Sequence, residues 1–88
     1  MVNIGDLDRA ICERRLCELD GIEDVITLDE KGISCNLYDT EEAVHHRSTG
    51  KDYVRIGSGV YWDGADAIAY CVIKDETGKI FAGSDWEF

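Results

Sequence analysis

Ala67-Ile68-Ala69-Tyr70-Cys71-Val72-Ile73-Lys74, followed by Asp75-Glu76-Thr77-Gly78 and then Lys79-Ile80-Phe81-Ala82, is the stretch on which the fold turns. The alanines at 67 and 69 would suit a helix, but the β-branched pair Val72-Ile73 and the glycine turn beyond it favour a strand. An acidic turn closed by a glycine in the left-handed region is a standard connection for hairpins with loops of three to five residues. The segment therefore predicts an antiparallel hairpin.

Towards the N-terminus the same turn chemistry recurs. Asp29-Glu30-Lys31-Gly32 separates Val25-Ile26-Thr27-Leu28 from Ile33-Ser34-Cys35-Asn36-Leu37-Tyr38, which predicts another hairpin. The shared turn does not establish a repeat, because glycine after an acidic turn is the default solution for any such hairpin. Earlier still, Asp6 as N-cap and Asp20-Gly21 as a stop bracket a helix. Its Ile11, Cys12, Leu16 and Leu19 form one stripe, with Arg15 at the edge, that should face a sheet.

Between the hairpins, Asp39-Thr40-Glu41-Glu42 has capping-box residues and predicts a short helix over Thr40 to Arg47. Ser48 to Asp52 reads as a linker and Tyr53-Val54-Arg55-Ile56 as a strand. Gly57-Ser58-Gly59 should break that strand, with Val60-Tyr61-Trp62 returning as a short hairpin arm before Asp63-Gly64. The sum is an α+β fold: an N-terminal helix packed on a mostly antiparallel sheet of four to six strands, with a second, short helix. Residues 1–88 make a single small acidic domain.

Nine Lys and Arg against nineteen Asp and Glu give a net charge of −10. That excludes most nucleic-acid binders, which draw their affinity from clustered bases, and disfavours anionic membrane surfaces. An apolar content of 44% and eight aromatic residues argue for a folded chain. The N-terminus lacks the basic segment and apolar run of a secretory signal, and no stretch is long and apolar enough for a membrane span. A cytoplasmic protein is expected, with Cys12, Cys17, Cys35 and Cys71 reduced and filling the core.

Catalytic and cofactor motifs fail on inspection. Gly50-Lys51 is followed by Asp52 where a phosphate-binding loop needs Ser or Thr, and Trp62 stands where the third glycine after Gly57-Ser58-Gly59 would belong. Both glycine pairs read as turns. Cys12 and Cys17 are five apart, about 140° around a helix, and so do not clamp one ion. His45 and His46 are adjacent and read as two exposed imidazoles. A composite metal site from Cys35, Cys71 and one histidine is the one arrangement the spacing leaves open. No elbow turn presents a nucleophile, and carboxylate pairs among nineteen acids are not specific. No enzyme, cofactor or metal is expected.

The sharpest feature is the placement of the acids. Leu16 to Glu30 contains Glu18, Asp20, Glu23, Asp24, Asp29 and Glu30 and no base, and Asp39, Glu41 and Glu42 continue the bias. Glu18 and Asp20 sit at the expected C-terminal end of the first helix, where each costs roughly 0.3–1 kcal/mol against the macrodipole. Folding alone would not choose them. A solvated acidic face is the plain reading, with Arg14 and Arg15 partly offsetting Glu18. The functional reading makes these nine acids one anionic surface aimed at a basic protein groove.

The order of elements from Leu19 to Leu37 is similar to the helix and hairpin of ferredoxin-like domains, without the cysteine pair of their heavy-metal-binding members. In size, acidity and lack of catalytic motif the chain resembles small phage-encoded inhibitors of the anti-CRISPR and antirestriction kind. That resemblance implies a non-enzymatic acidic module that occupies the basic nucleic-acid-binding groove of a partner complex, without touching nucleic acid or membrane itself. The alternatives are a toxin-immunity protein neutralising a nuclease, or a homo-oligomer joined through Trp62, Trp86 and Phe88. Trp86 and Phe88, two apart, should share one face of an extended segment and close the bottom of the sheet.

Overall fold

A computed structural model describes residues 3–30 and 33–87, apart from the side chains of Ile22, Asp29 and Asp63. The elements run α1 (Ile4–Cys12), β1 (Leu16–Leu19), α2 (Ile22–Glu30), β2 (Ser34–His46), β3 (Lys51–Asp63), β4 (Asp66–Lys74), β5 (Ile80–Gly83) and β6 (Trp86–Glu87). The fold is α+β. Six strands form one curled antiparallel sheet in the order β1-β5-β4-β3-β2-β6, with α1 against β1 and β5 and α2 against β1 and β2.

The hairpin at 66–83 forms as the sequence predicts, with Lys74 opposite Ile80. Its turn is held by Asp75, whose Oδ1 accepts from the Thr77 N–H (2.9 Å), the Thr77 hydroxyl (2.7 Å) and the Lys79 N–H (3.0 Å). Gly78 completes it at φ +88°, in the left-handed region that glycine enters without steric cost.

Five local expectations are overturned. The first helix is capped by Asn3, whose Oδ1 accepts from the N–H groups of Gly5 and Asp6, and it ends at Cys12 rather than near Asp20. The chain leaves it through a Schellman turn. Arg15 N–H bonds Ala10 O, Arg14 N–H bonds Ile11 O, and Arg14 takes the left-handed conformation at φ +58°. Leu16 to Leu19 then becomes the edge strand β1, paired with β5.

Val25 to Leu28 is helix, not the arm of a hairpin, despite its β-branched residues. Gly21 at φ +98° precedes α2, Glu23 and Asp24 favour its N-terminus, and Val25 and Leu28, one turn apart, enter the core. The likeness to a ferredoxin-like helix and hairpin ends there. The expected turn partner Lys31-Gly32 lies outside the described residues, as does Phe88.

Thr40 to Arg47 is not helical. β2 runs on to His46 with a register shift between Leu37 and Glu42, and the would-be capping carboxylates turn sideways: Glu41 bonds Lys74 and Glu42 bonds Arg55. Ser48 to Gly50 lies in the tight β2–β3 turn rather than a loose linker.

Gly57-Ser58-Gly59 does not break β3, which passes straight through and returns as β4 after Asp63. The glycines serve packing here. A Cβ on Gly59 would overlap the carbonyl oxygen of Ser34 and lie 2.6 Å from the hydroxyl of Tyr70, whose ring covers that position from the paired residue on β4. Tyr70 is buried and its hydroxyl donates to Ser34 O at 2.9 Å.

The core has two parts on opposite faces of the sheet. Leu7, Ile11, Leu19, Val25, Leu28, Tyr70, Val72 and Ala82 pack beneath the helices. On the other face Val44, Cys71, Ile73 and Trp86 cluster with Leu16, Tyr53 and Phe81, which the curl of the sheet brings together. Trp86 therefore closes the domain's own core, as expected, whereas Trp62 stands 64% exposed.

Gly59→Ala should cost roughly 2–4 kcal/mol in chemical denaturation, because neither a backbone carbonyl nor a buried ring yields easily. Arg14→Gly should instead raise stability by about 1 kcal/mol, since it relieves a left-handed conformation that disfavours any Cβ.

Candidate protein-binding surface

The nine acids read from the sequence do not form one surface. Glu18 lies exposed on β1 with its Oε1 3.7 Å from the ammonium of Lys79 across the β1–β5 ladder. Asp20 is exposed in the bend that follows, and its N–H donates to Asp24 Oδ2 at 2.6 Å. Asp24 is only 3% exposed, so its carboxylate organises the start of α2 rather than facing solvent. Neither Glu18 nor Asp20 ends a helix, and the macrodipole argument moves to Glu30, which closes α2 in a last turn without a basic residue. The side chain of Asp29 lies outside the described atoms.

Asp39, Glu41 and Glu42 fall on β2, where β6 pairs only with His45 and His46 and leaves the preceding stretch as a sheet edge. Glu41 Oε1 is 2.7 Å from Lys74 Nζ, and Glu42 meets the guanidinium of Arg55. Arg55 also lies over the ring of Tyr38, 5.2 Å from its centroid, while Tyr38 Oη hydrogen-bonds Ser58 Oγ. Burial alone would lower the Arg55 pKa, but the bonds to Glu42 and the Cys71 thiol outweigh it and raise the value. Charges and a register shift are the usual protection of an edge against pairing with another chain. These three acids are accounted for by that role.

What remains facing outward is one stripe of α2. Glu23, Ile26, Thr27 and Glu30 recur at three, four and seven residues; Glu23 and Glu30 are exposed, and Ile26 is 55% exposed. Thr27 is anchored by its hydroxyl to Glu23 O at 3.0 Å. The result is an apolar knob with a carboxylate one turn to either side. The sequence reading named the acids and missed Ile26, because it placed that residue in a strand. Trp62, named from the sequence as part of a self-association surface, is exposed as well.

The two imidazoles are not equivalent. On a strand neighbouring side chains point to opposite faces, so His46 enters the core while His45 stays partly exposed beside Asp52 at 2.7 Å. His46 Nδ1 accepts from the Thr49 N–H (3.2 Å), which places the proton on Nε2 to donate to Ser84 O (2.8 Å), and its ring packs 4.8 Å from that of Trp86. Among the described residues no three His, Cys, Asp or Glu side chains are grouped to hold a metal ion. Cys35 and Cys71 are buried core residues as expected, Cys17 is half-buried, and Cys12 is exposed on α1. Burial raises the pKa of both Cys17 and Cys71, with Asp6 and Asp24 adding to the first and Arg55 opposing at the second.

Comparison with protein families, with curated proteins and with solved structures finds no match. Among the described residues no helix is long and apolar enough to cross a membrane.

The Asp75 turn gives a pH test. Its carboxylate is held below the ordinary value chiefly by the Thr77 hydroxyl; desolvation opposes this, and the N–H groups of Lys79 and Thr77 and the Lys79 charge add to the lowering. A depressed folded pKa contributes stability above the unfolded value that is lost as pH falls through the folded one. The thermal midpoint of the native protein should therefore fall more steeply than that of Asp75→Ala between about pH 5 and about pH 2, the gap closing at the acid end.

Proposed function

We propose that the protein is a non-enzymatic acidic binding module that uses the outer stripe of α2 against a basic surface of a nucleic-acid-handling protein. On this reading it acts in the cytoplasm as an inhibitor of the anti-CRISPR or antirestriction type, excluding the polyanion that the partner normally holds. The observation that carries the reading is the exposed Ile26 between Glu23 and Glu30. An apolar anchor supplies desolvated contact area, and a rim of one charge supplies steering and register. Glu30 is unfavourable where it stands for the helix itself, which is the mark of a residue kept for another purpose. Raised pKa values keep the Cys17 and Cys71 thiols protonated near neutrality, the opposite of an activated nucleophile, and this supports the non-enzymatic reading.

Affinity capture from the native host identifies the partner, and association rates then test the mechanism. The rate should drop at least about tenfold between roughly 0.01 M and 0.15 M salt, as the screening length shortens from about 30 Å to about 8 Å. Glu23→Lys with Glu30→Lys should slow association more than Asp66→Lys with Glu76→Lys, an equal change of charge elsewhere. A short DNA or RNA duplex should compete for the partner. Rates that ignore salt, or equal losses from the two double variants, would refute the α2 surface.

A further inference from the structure

A second feature lies on the sheet face away from the helices. The β3–β4 register sets Ser58, Val60 and Trp62 opposite Cys71, Ala69 and Ala67, alternate residues that share that face. Ser34 and Asn36 of β2 lie beside Val60 and Ser58 in the same register. None of these eight positions is charged, in a chain that is 32% charged with a net of −10. Trp62, Ala67 and Ala69 are exposed, and the small partner Ala67 leaves the indole of Trp62 standing proud of the strand. Two residues back along β3, about 7 Å away, opens a groove of about 530 Å³ walled by Val60, Ala69, Cys71 and Trp86, with Arg55 and Asp85 as a single charge of each sign. Its size falls within the range of roughly 300–1,000 Å³ typical of sites that enclose a compact ligand.

We propose that this face is where two copies of the chain meet, the Trp62 indole of each entering the groove of the other. Knob and groove lie side by side on one surface, so a two-fold axis between them satisfies both contacts at once, as an isologous interface requires. Charge selects the occupant. Among the described residues that line the groove, a cationic partner finds Asp85 alone to attract it, since Arg55 is paired with Glu42, and a polyanion is repelled by the whole chain. A second copy is repelled at acid-rich surfaces, but at this face it meets no row of opposing carboxylates. Two sheets pack face to face about 10 Å apart, a gap that an indole spans. This contact leaves α2, on the other side of the sheet, open to a partner.

Sedimentation equilibrium on the full chain tests the idea. The mass should rise towards twice that of the chain as protein concentration increases, and the dimer should strengthen with added salt, because screening removes the repulsion of two acidic chains. That is the reverse of the salt response expected for a basic partner. Trp62→Ala removes the knob and Ala69→Lys places a charge in the groove. Each should weaken the dimer at least about tenfold while leaving the thermal midpoint of the dilute protein unchanged, since both side chains are exposed. A monomer at every concentration and salt overturns the proposal. So does a dimer that either substitution leaves intact.

Discussion

Tyr70 lying over Gly59 is the contact on which the rest of the domain depends. The ring occupies the place a side chain would take at residue 59, and its hydroxyl reaches across to Ser34 O, so one buried residue fixes the spacing of β4, β3 and β2. The helices pack on the surface that this arrangement creates. Leu7, Ile11 and Leu28 join the same cluster as Tyr70, and Val72 and Ala82 extend it across β4 and β5. The glycine looks like an interruption in the sequence, yet it lets β3 continue through the centre of the sheet, because the missing side chain is supplied by the neighbouring strand.

The sequence was most legible where the signal was local. The β4–β5 hairpin needs only an Asp-Glu-Thr-Gly turn between two apolar runs, and Asp75 supplies most of its turn bonds from within five residues. The α+β class followed from such signals. The misread elements were those decided at a distance. Helix α1 stops at an arginine in the left-handed conformation, and nothing about Arg14 marks it as a stop. Helix α2 is rich in β-branched residues and becomes helical because Val25 and Leu28 find the core at helical spacing. His45 and His46 looked alike in the sequence and differ because a strand sends neighbours to opposite faces.

The acidic composition was read correctly in amount and incorrectly in arrangement. Five of the nine carboxylates have a structural duty: Asp24 organises a helix start, Glu18 bridges to Lys79, and Asp39, Glu41 and Glu42 guard an edge. Among the described residues, Glu23 and Glu30 on the outer stripe of α2 stand exposed without such a structural duty. Charge counted along the chain overstates the size of a binding surface, because a folded domain also spends carboxylates on its own turns and edges.

The pairing of β1 with β5 joins residues 16–19 to residues 80–83, and the hydroxyl of Ser84 closes the same end of the sheet on Ile11 O. An edge strand and a helix made early thus wait for a partner strand translated some sixty residues later. During synthesis Leu7, Ile11 and Leu19 have Val25 and Leu28 of α2 to pack against, but the strands that complete their cluster come only later, the partner of β1 some sixty residues on. A chain of this topology gains little from vectorial folding. It should assemble late and in one step, with non-local strand pairing governing the rate.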